Sequence, residues 1–168
     1  MQAYAGGDAA AFETLYRRHK DALYRYLLRG TSSPALASDL FQDVWKNLIQ
    51  ARARYRPDAP FGAWLYKLAH NRMMDHFRMQ RPTSEVPEDL PAPEHERPDT
   101  TFARRSEAQR LLAALAALPS EQREVIVLRE ERDLTLEQIA EIQGVGRETV
   151  KSRLRYALAK LREVIGDD

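Results

Sequence analysis

Apolar residues recur at helical spacing along nearly the whole chain. Over residues 8–29, Phe12, Leu15, Tyr16, His19, Leu23, Tyr26 and Leu27 fall on one face, with Asp8 placed to cap the start and Gly30 to end the helix. Ser33 as N-cap and Pro34 at the first helical position predict a second helix over 34–53, which "RYRPDAP" breaks. A third is expected from Phe61 to about Arg78. After a gap, Leu111, Leu112, Leu115 and Leu118 predict the apolar face of a helix over 104–117, broken and recapped by Pro119-Ser120. Val125, Ile126 and Leu128 belong to a helix over 121–131. Thr135-x-x-Gln138 is a capping box that opens a short helix carrying Leu136, Ile139, Ala140 and Ile142. After Gly144-Val145-Gly146, a last helix runs to about Val164. Alternating, β-branched runs bounded by turns are absent; the nearest, "EVIVLRE", lies in a helical context.

The gap changes the picture of how these helices are grouped. Residues 81–99 hold five prolines and six acids with few apolar side chains, too little burial to offset the entropy of ordering. The expected architecture is all-α: two small helical domains, 1–80 and 104–168, joined by a flexible, acidic, Pro-rich linker over 81–103. The formal charge of +1 hides an asymmetry: residues 1–80 carry +5, residues 81–100 carry −4, and the remainder is neutral. Within that neutral remainder, 147–162 has six bases against the single acid Glu148, a local patch suited to polyanions.

With no cysteine in the chain, disulfides and thiolate metal sites are excluded. His19, His70, His76 and His95 lack metal-ligand spacing with carboxylates, and no nucleophile–base arrangement stands out, so neither a metal, a cofactor nor a catalytic role is expected. Apolar runs fall well short of the ~20 residues that a bilayer span needs. With no signal-like N-terminal segment, a soluble cytoplasmic protein without membrane insertion is expected.

"GVGRETVKSRLR" at 144–155 could be a phosphate loop or the turn of a DNA-reading motif. The first Gly follows a helix rather than a strand, and neither a third Gly nor a Gly-Lys-Ser/Thr follows, which disfavours the loop. A helix-turn-helix fits residues 136–155. Ala140 permits close helix approach, Gly144 supplies the turn, and Val145, Val150 and Leu154 seat the second helix. Arg147, Lys151, Ser152, Arg155 and Tyr156 are left on or near the open side. In the second helix of the chain, Asp39, Gln42, Asp43 and Lys46 form a polar stripe opposite the apolar face. In the third, Lys67, Asn71, Met74 and Arg78 line up as a polar, partly basic track.

Three segments resemble parts of one family. "LPSEQREVIVLREERDLTLEQIAEIQGVGRETVKSRLRYALAKLR" is similar to the C-terminal domain of bacterial RNA polymerase sigma factors of the extracytoplasmic-function group. "ASDLFQDVW" resembles the sigma segment that docks on the clamp of the polymerase large subunit, and "FGAWLYKLAHNRMMDHFR" resembles the adjoining promoter-melting segment. The resemblance implies an alternative sigma factor, a non-enzyme that binds core RNA polymerase and directs promoter recognition, opening and initiation. Its helix-turn-helix would read the −35 element through Arg147, Thr149, Lys151, Ser152, Arg155 and Tyr156. Asp39, Gln42, Asp43, Trp45 and Lys46 would meet the polymerase clamp, with the flap as a further contact. Tyr55, Phe61 and Asn71 would lie near a captured −10 base, with Lys67 and Arg78 on the backbone. Base stacking at ~1–3 kcal/mol per base could offset part of the melting cost. The family also implies an anti-sigma protein that covers both domains. Gly146 in place of a polar N-cap and Glu148 in the first turn depart from the family pattern. The open alternative is a stand-alone helix-turn-helix regulator that works without polymerase.

Overall fold

A computed structural model describes residues 1–80, 107–130 and 133–165; the expected linker over 81–103 lies outside the described residues. Eight helices are described, with no strand among the described residues: α1 (Gln2–Ala5), α2 (Ala9–Thr31), α3 (Pro34–Ala51), α4 (Phe61–Gln80), α5 (Glu107–Ala117), α6 (Ser120–Glu130), α7 (Leu136–Gln143) and α8 (Arg147–Ile165). A 3₁₀ turn, Arg52–Arg54, follows α3. "EVIVLRE" is indeed helical, within α6.

The caps follow the local chemistry. Asp8 accepts from the amides of Ala10 (2.9 Å) and Ala11 (3.3 Å), and Ser33 accepts from Leu36 (3.3 Å) ahead of Pro34. The end of α2 differs from expectation. Gly30 does not terminate it; the helix continues to Thr31, and Ser32 closes it in the left-handed region (φ 53°), its amide returning to the Leu28 carbonyl at 2.8 Å. Gly30 is there for another reason. A Cβ at that position would run into the thioether of Met73, a buried α4 residue, so the missing side chain lets α2 and α4 pack.

α2, α3 and α4 pack against one another around Leu23, Leu27, Val44, Leu48, Leu65 and Tyr66. α1, which the periodicity does not disclose, sits on α2 and buries Tyr4 against Phe12. α5, α6 and α7 all pack on α8. A satellite core there holds Leu118, Ile126, Ala157 and Leu161. Leu112, expected on the inner face of α5, is 57% exposed; Leu111 and Leu115 take the packing instead. The two groups of helices also meet: α4 packs on α7 and α2 on α6, and one apolar cluster runs from Leu27 and Leu65 through to Val125, Ile139 and Val150.

Gly30→Ala should destabilise the chain by about 1 kcal/mol, because overpacking of ~1–3 kcal/mol outweighs a helix-propensity gain of ~1 kcal/mol. With Met73→Ala in place, the same change should become neutral or stabilising. Urea midpoints of the four proteins test this; stabilisation by Gly30→Ala in both backgrounds would contradict it.

Candidate nucleic-acid and partner interfaces

The helix-turn-helix is built by reciprocal local bonds. In the capping box of α7, the Gln138 amide donates to Thr135 Oγ1 (3.2 Å) and the Thr135 amide to Gln138 Oε1 (2.9 Å). Gly144 adopts φ 66°, where a side chain would be strained, and the Val145 amide closes the turn on the Ala140 carbonyl at 3.1 Å. Val150 is fully buried and Leu154 half-buried beneath α8, while Arg147, Thr149, Lys151, Arg155 and Tyr156 are exposed and Ser152 is half-buried. The Arg155 guanidinium lies 5.1 Å from the centre of the Tyr156 ring, a cation–π contact that holds both on one ridge.

Two cations near this ridge, Arg147 and Lys151, are already paired with acids. Arg147 bonds Glu137 and lies 3.2 Å from Glu148; Lys151 lies 3.6 Å from Glu148. Glu137 sits below the usual carboxylate range, chiefly because its own backbone amide bonds it at the start of α7 and then because Arg147 does; Arg147 is raised in turn by Glu137.

On α3, Asp39, Gln42 and Lys46 are exposed and Asp43 is half-buried. Asp43 is not a free acid: it binds Arg72 of α4. On α4, Asp75 in turn pairs with Arg78 at 2.7 Å. Trp45 is 5% exposed, packed among Phe12, Tyr16 and Phe41, so it belongs to the core rather than to an open contact surface. Its edge, with Tyr16, Phe41 and the exposed Ile49, floors a shallow apolar groove rimmed by Gln42 and Lys46. A second groove continues along α2 and α3 past Tyr24.

On α4, Lys67, Asn71 and Arg78 are exposed on one track. At the loop preceding α4, Tyr55, Phe61 and Trp64 form a cluster of half-buried rings, with centroids 5.1 Å apart for Tyr55–Trp64 and 6.5 Å for Tyr55–Phe61. His19 packs edge-on against Phe61 at 5.0 Å. Trp64 is shared between core and cluster.

A polar centre that periodicity gave no sign of lies where the two helix groups meet. The Glu124 carboxylate, on α6, accepts from Tyr26 of α2, from His70 Nδ1 of α4 at 2.8 Å and from Gln143 Nε2 of α7 at 2.8 Å. A carboxylate can only accept, so His70 carries its proton on Nδ1. Burial pushes the Glu124 carboxyl up, but the bonds and charge of His70 and the bonds of Tyr26 and Gln143 outweigh it and hold Glu124 below its ordinary value. Burial and the Glu124 charge push Tyr26 well up. Beside it, Arg123 Nη1 donates to the Arg29 carbonyl (2.9 Å), while Nη2 donates to the carbonyls of Ala116 (2.8 Å) and Leu118 (3.0 Å). Gln143 Oε1 accepts from Arg153 Nη1 (2.8 Å), which carries the network into α8. Histidine and glutamate lie 54 residues apart here, so no local spacing could have disclosed the cluster.

Comparison with known proteins places these faces in a family context. Residues 15–83 match the family model Sigma-70 region 2, and residues 114–163 match Sigma-70, region 4. Over 99% of its length the chain is 32% identical to the RNA polymerase sigma factor CarQ of Myxococcus xanthus, covering 96% of that protein. It is 36% identical to the ECF RNA polymerase sigma factor SigL of Mycobacterium tuberculosis over 94% of this chain and 90% of that one. Among solved structures it is similar to CnrH in complex with the cytosolic domain of CnrY (TM-score 0.67, 26% identity, 99% of this chain and 95% of that one). It shares its fold with the sigma factor RpoE of Bartonella quintana in complex with the anti-sigma factor NepR (TM-score 0.70, 22% identity, 94% and 98% covered).

Glu124→Gln should lower stability by about 1–3 kcal/mol at neutral pH, the cost of weakening charge-assisted bonds to buried donors. Because the folded-state carboxyl titrates lower than the unfolded one, that contribution is present above the ordinary glutamate range and fades as pH falls through the folded value. Urea unfolding of both proteins between pH 7 and 3 should show the gap closing below about pH 4; a gap that widens on acidification would contradict the assignment.

Proposed function

The chain belongs to the extracytoplasmic-function group of RNA polymerase sigma factors, and from that premise we propose which of its faces meets which partner. It is an alternative sigma factor: with core RNA polymerase it directs promoter recognition, DNA opening and transcription initiation. The observation that carries this is the succession of both matched regions, 15–83 then 114–163, in one chain aligned end to end with its relatives.

Residues 1–80 act as the polymerase-binding and −10-melting domain and 104–168 as the −35 reader, with 81–103 as connector. The stripe of Asp39, Gln42 and Lys46, with the apolar grooves beside it, meets the polymerase clamp. Trp45 supports that surface from beneath, and Asp43 orients Arg72. The exposed apolar groove floor supports this reading, because charges alone would set on-rate more than affinity. Tyr55 and Phe61 offer faces on which an unstacked base can lie, with Asn71 nearby and Lys67 and Arg78 on the backbone. On α8, Arg155 and Tyr156 present an exposed polar edge, while Arg147, Thr149, Lys151 and Ser152 line the approach. The flap is a further polymerase contact of the C-terminal domain. The chain does no catalytic work of its own; the polymerase makes the RNA. No helix among the described residues is long and apolar enough to cross a membrane, and the proposed site of action is the cytoplasm, where the polymerase is. An anti-sigma protein is a proposed regulator; the structurally similar RpoE is found in complex with one.

Run-off transcription with purified core polymerase tests the assignment. Promoter-specific transcripts should depend on this protein, and the double variant Asp39→Ala/Gln42→Ala should bind polymerase more weakly with unchanged affinity for −35 DNA. Footprinting of DNA alone, with no promoter-specific transcript on any genomic template, would favour the stand-alone regulator instead.

Arg155→Ala should cost ~1–3 kcal/mol on the cognate −35 site and much less on other sequences, the mark of a base contact. Glu148→Gln should act oppositely, tightening all sequences alike at low salt by freeing Lys151 for phosphate and removing one of the two acids beside Arg147, and the gain should shrink as salt rises. Equal losses on all sequences for Arg155→Ala would make it a phosphate contact.

A further inference from the structure

We propose that the one-turn helix α1 is a brace for the base-capture loop. Tyr4 is its positioning residue: through Arg52 it sets where Tyr55 stands when promoter DNA opens. The inference rests on the reading that Tyr55 and Phe61 receive an unstacked base.

The brace begins with a helix too short to stand alone. Gln2–Ala5 is four residues long, against the roughly 12–15 that an isolated helix needs to persist in water. Its place is fixed by what it packs on. The amides of Gly7 and Asp8 return to the carbonyls of Tyr4 and Ala3, both at 3.0 Å, and α1 lies against α2 and the 3₁₀ turn. Tyr4 is 6% exposed, with its ring centre 5.1 Å from that of Phe12. The matched region 2 stretch starts at residue 15, so the family match assigns α1 no task.

The Tyr4 ring has a second neighbour. The Arg52 guanidinium lies over it, 5.5 Å from the centroid, as a cation–π contact. Arg52 stands where α3 gives way to the loop. Its amide donates to the Ile49 carbonyl at the end of α3, and its carbonyl accepts from the Tyr55 amide at 3.3 Å. The side chain is thus tethered to α1 while the main chain carries Tyr55, whose ring stands 5.1 Å from Trp64 and 6.5 Å from Phe61. α4 supplies the rings on one side of Tyr55, and Tyr4 holds the main chain that leads into it. The kind of tether matters. Arg52, Arg54 and Arg56 are all exposed, and like charges so close along a chain repel. A ring face holds Arg52 in place without cancelling its charge, as a carboxylate would. The loop therefore keeps its attraction for a phosphate strand.

The test uses holoenzyme assembled from core polymerase and the full chain. Three affinities are measured: for core polymerase, for a −35 duplex, and for a single-stranded oligonucleotide carrying the −10 sequence of a promoter that gives a run-off transcript. Tyr4→Leu keeps an apolar side chain and removes the π face. It should weaken binding of the oligonucleotide about two- to fivefold, the range of one exposed cation–π contact, and leave the other two affinities unchanged. Tyr4→Phe should bind as the wild type does, and Tyr4→Leu added to Arg52→Gln should cost nothing further. Arg52→Gln, a surface change, decides the matter should Tyr4→Leu misfold. A loss that persists at high salt comes from a misplaced Tyr55, whereas one that vanishes comes from a missing phosphate contact and overturns the brace. Equal losses in all three affinities for Tyr4→Leu, or additive losses with Arg52→Gln, also overturn it. If Tyr55→Ala weakens the oligonucleotide and Tyr4→Leu does not, the brace alone falls. If Tyr55→Ala and Phe61→Ala leave it unweakened as well, the capture reading falls and the brace with it.

Discussion

A carboxylate taken out of water must find donors, and Glu124 finds them on three different helices. Desolvating such an ion costs several kcal/mol, and each charge-assisted bond returns ~1.5–3 kcal/mol. The junction is therefore close to balanced on its polar terms, and its chief product is geometry. Only one placement of α2, α4 and α7 around α6 brings Tyr26, His70 and Gln143 to the same two oxygens. The apolar cluster that continues across the seam supplies the non-directional attraction, and Glu124 sets the register. The orientation of the helix-turn-helix relative to the α4 track follows from that one group.

The same pairing of acids with bases recurs on the outer faces with a different effect. Arg147 and Lys151 are neutralised by Glu137 and Glu148, Arg72 by Asp43, and Arg78 by Asp75. Exposed pairs of this kind add little stability. They do lower the field that a passing polyanion meets, so phosphate has to displace an internal partner to bind. A chain with six bases between 147 and 162 is thereby kept from acting as an indiscriminate polycation. Selectivity is left to groups such as Arg155, whose guanidinium lies over the ring of Tyr156.

Most of the secondary structure was legible in the sequence because its determinants are local. Asp8, Ser33-Pro34, Thr135-x-x-Gln138 and Gly144 each act within a few residues of themselves, and the structure bears out all four. Gly30 was misread because its role is tertiary: a glycine that serves a neighbouring helix looks, along the chain, like one that ends its own. Leu112 was misplaced because an 11-residue helix packed mainly on α8 needs only a narrow apolar stripe. The Arg72–Asp43 pair, which joins residues 29 apart, is equally invisible to local spacing. Glu124 gave no sign at all. One acid in a helix of mixed charge reads as surface, and nothing local marks the three helices that enclose it. For the interfaces, local pattern found the exposed rows on α3, α4 and α8; the family resemblance, not the pattern, set Trp45 among the contact residues, and it is buried under that surface.

The closed junction is tested most directly by one distance in the wild-type background. The chain has no cysteine, so Glu13→Cys with Lys160→Cys places two spin labels at exposed positions, one in each helix group, with no competing thiol. Pulsed dipolar spectroscopy on the free protein should give a single narrow distribution. Saturating core polymerase should replace it with one longer by tens of Å, because elements centred at −35 and −10 lie roughly 85 Å apart along a duplex whereas a compact chain of this length is roughly 40 Å across. The same distance in both states would contradict a junction that opens on loading, and a broad distribution of long distances in the free protein would contradict a junction that holds the chain shut.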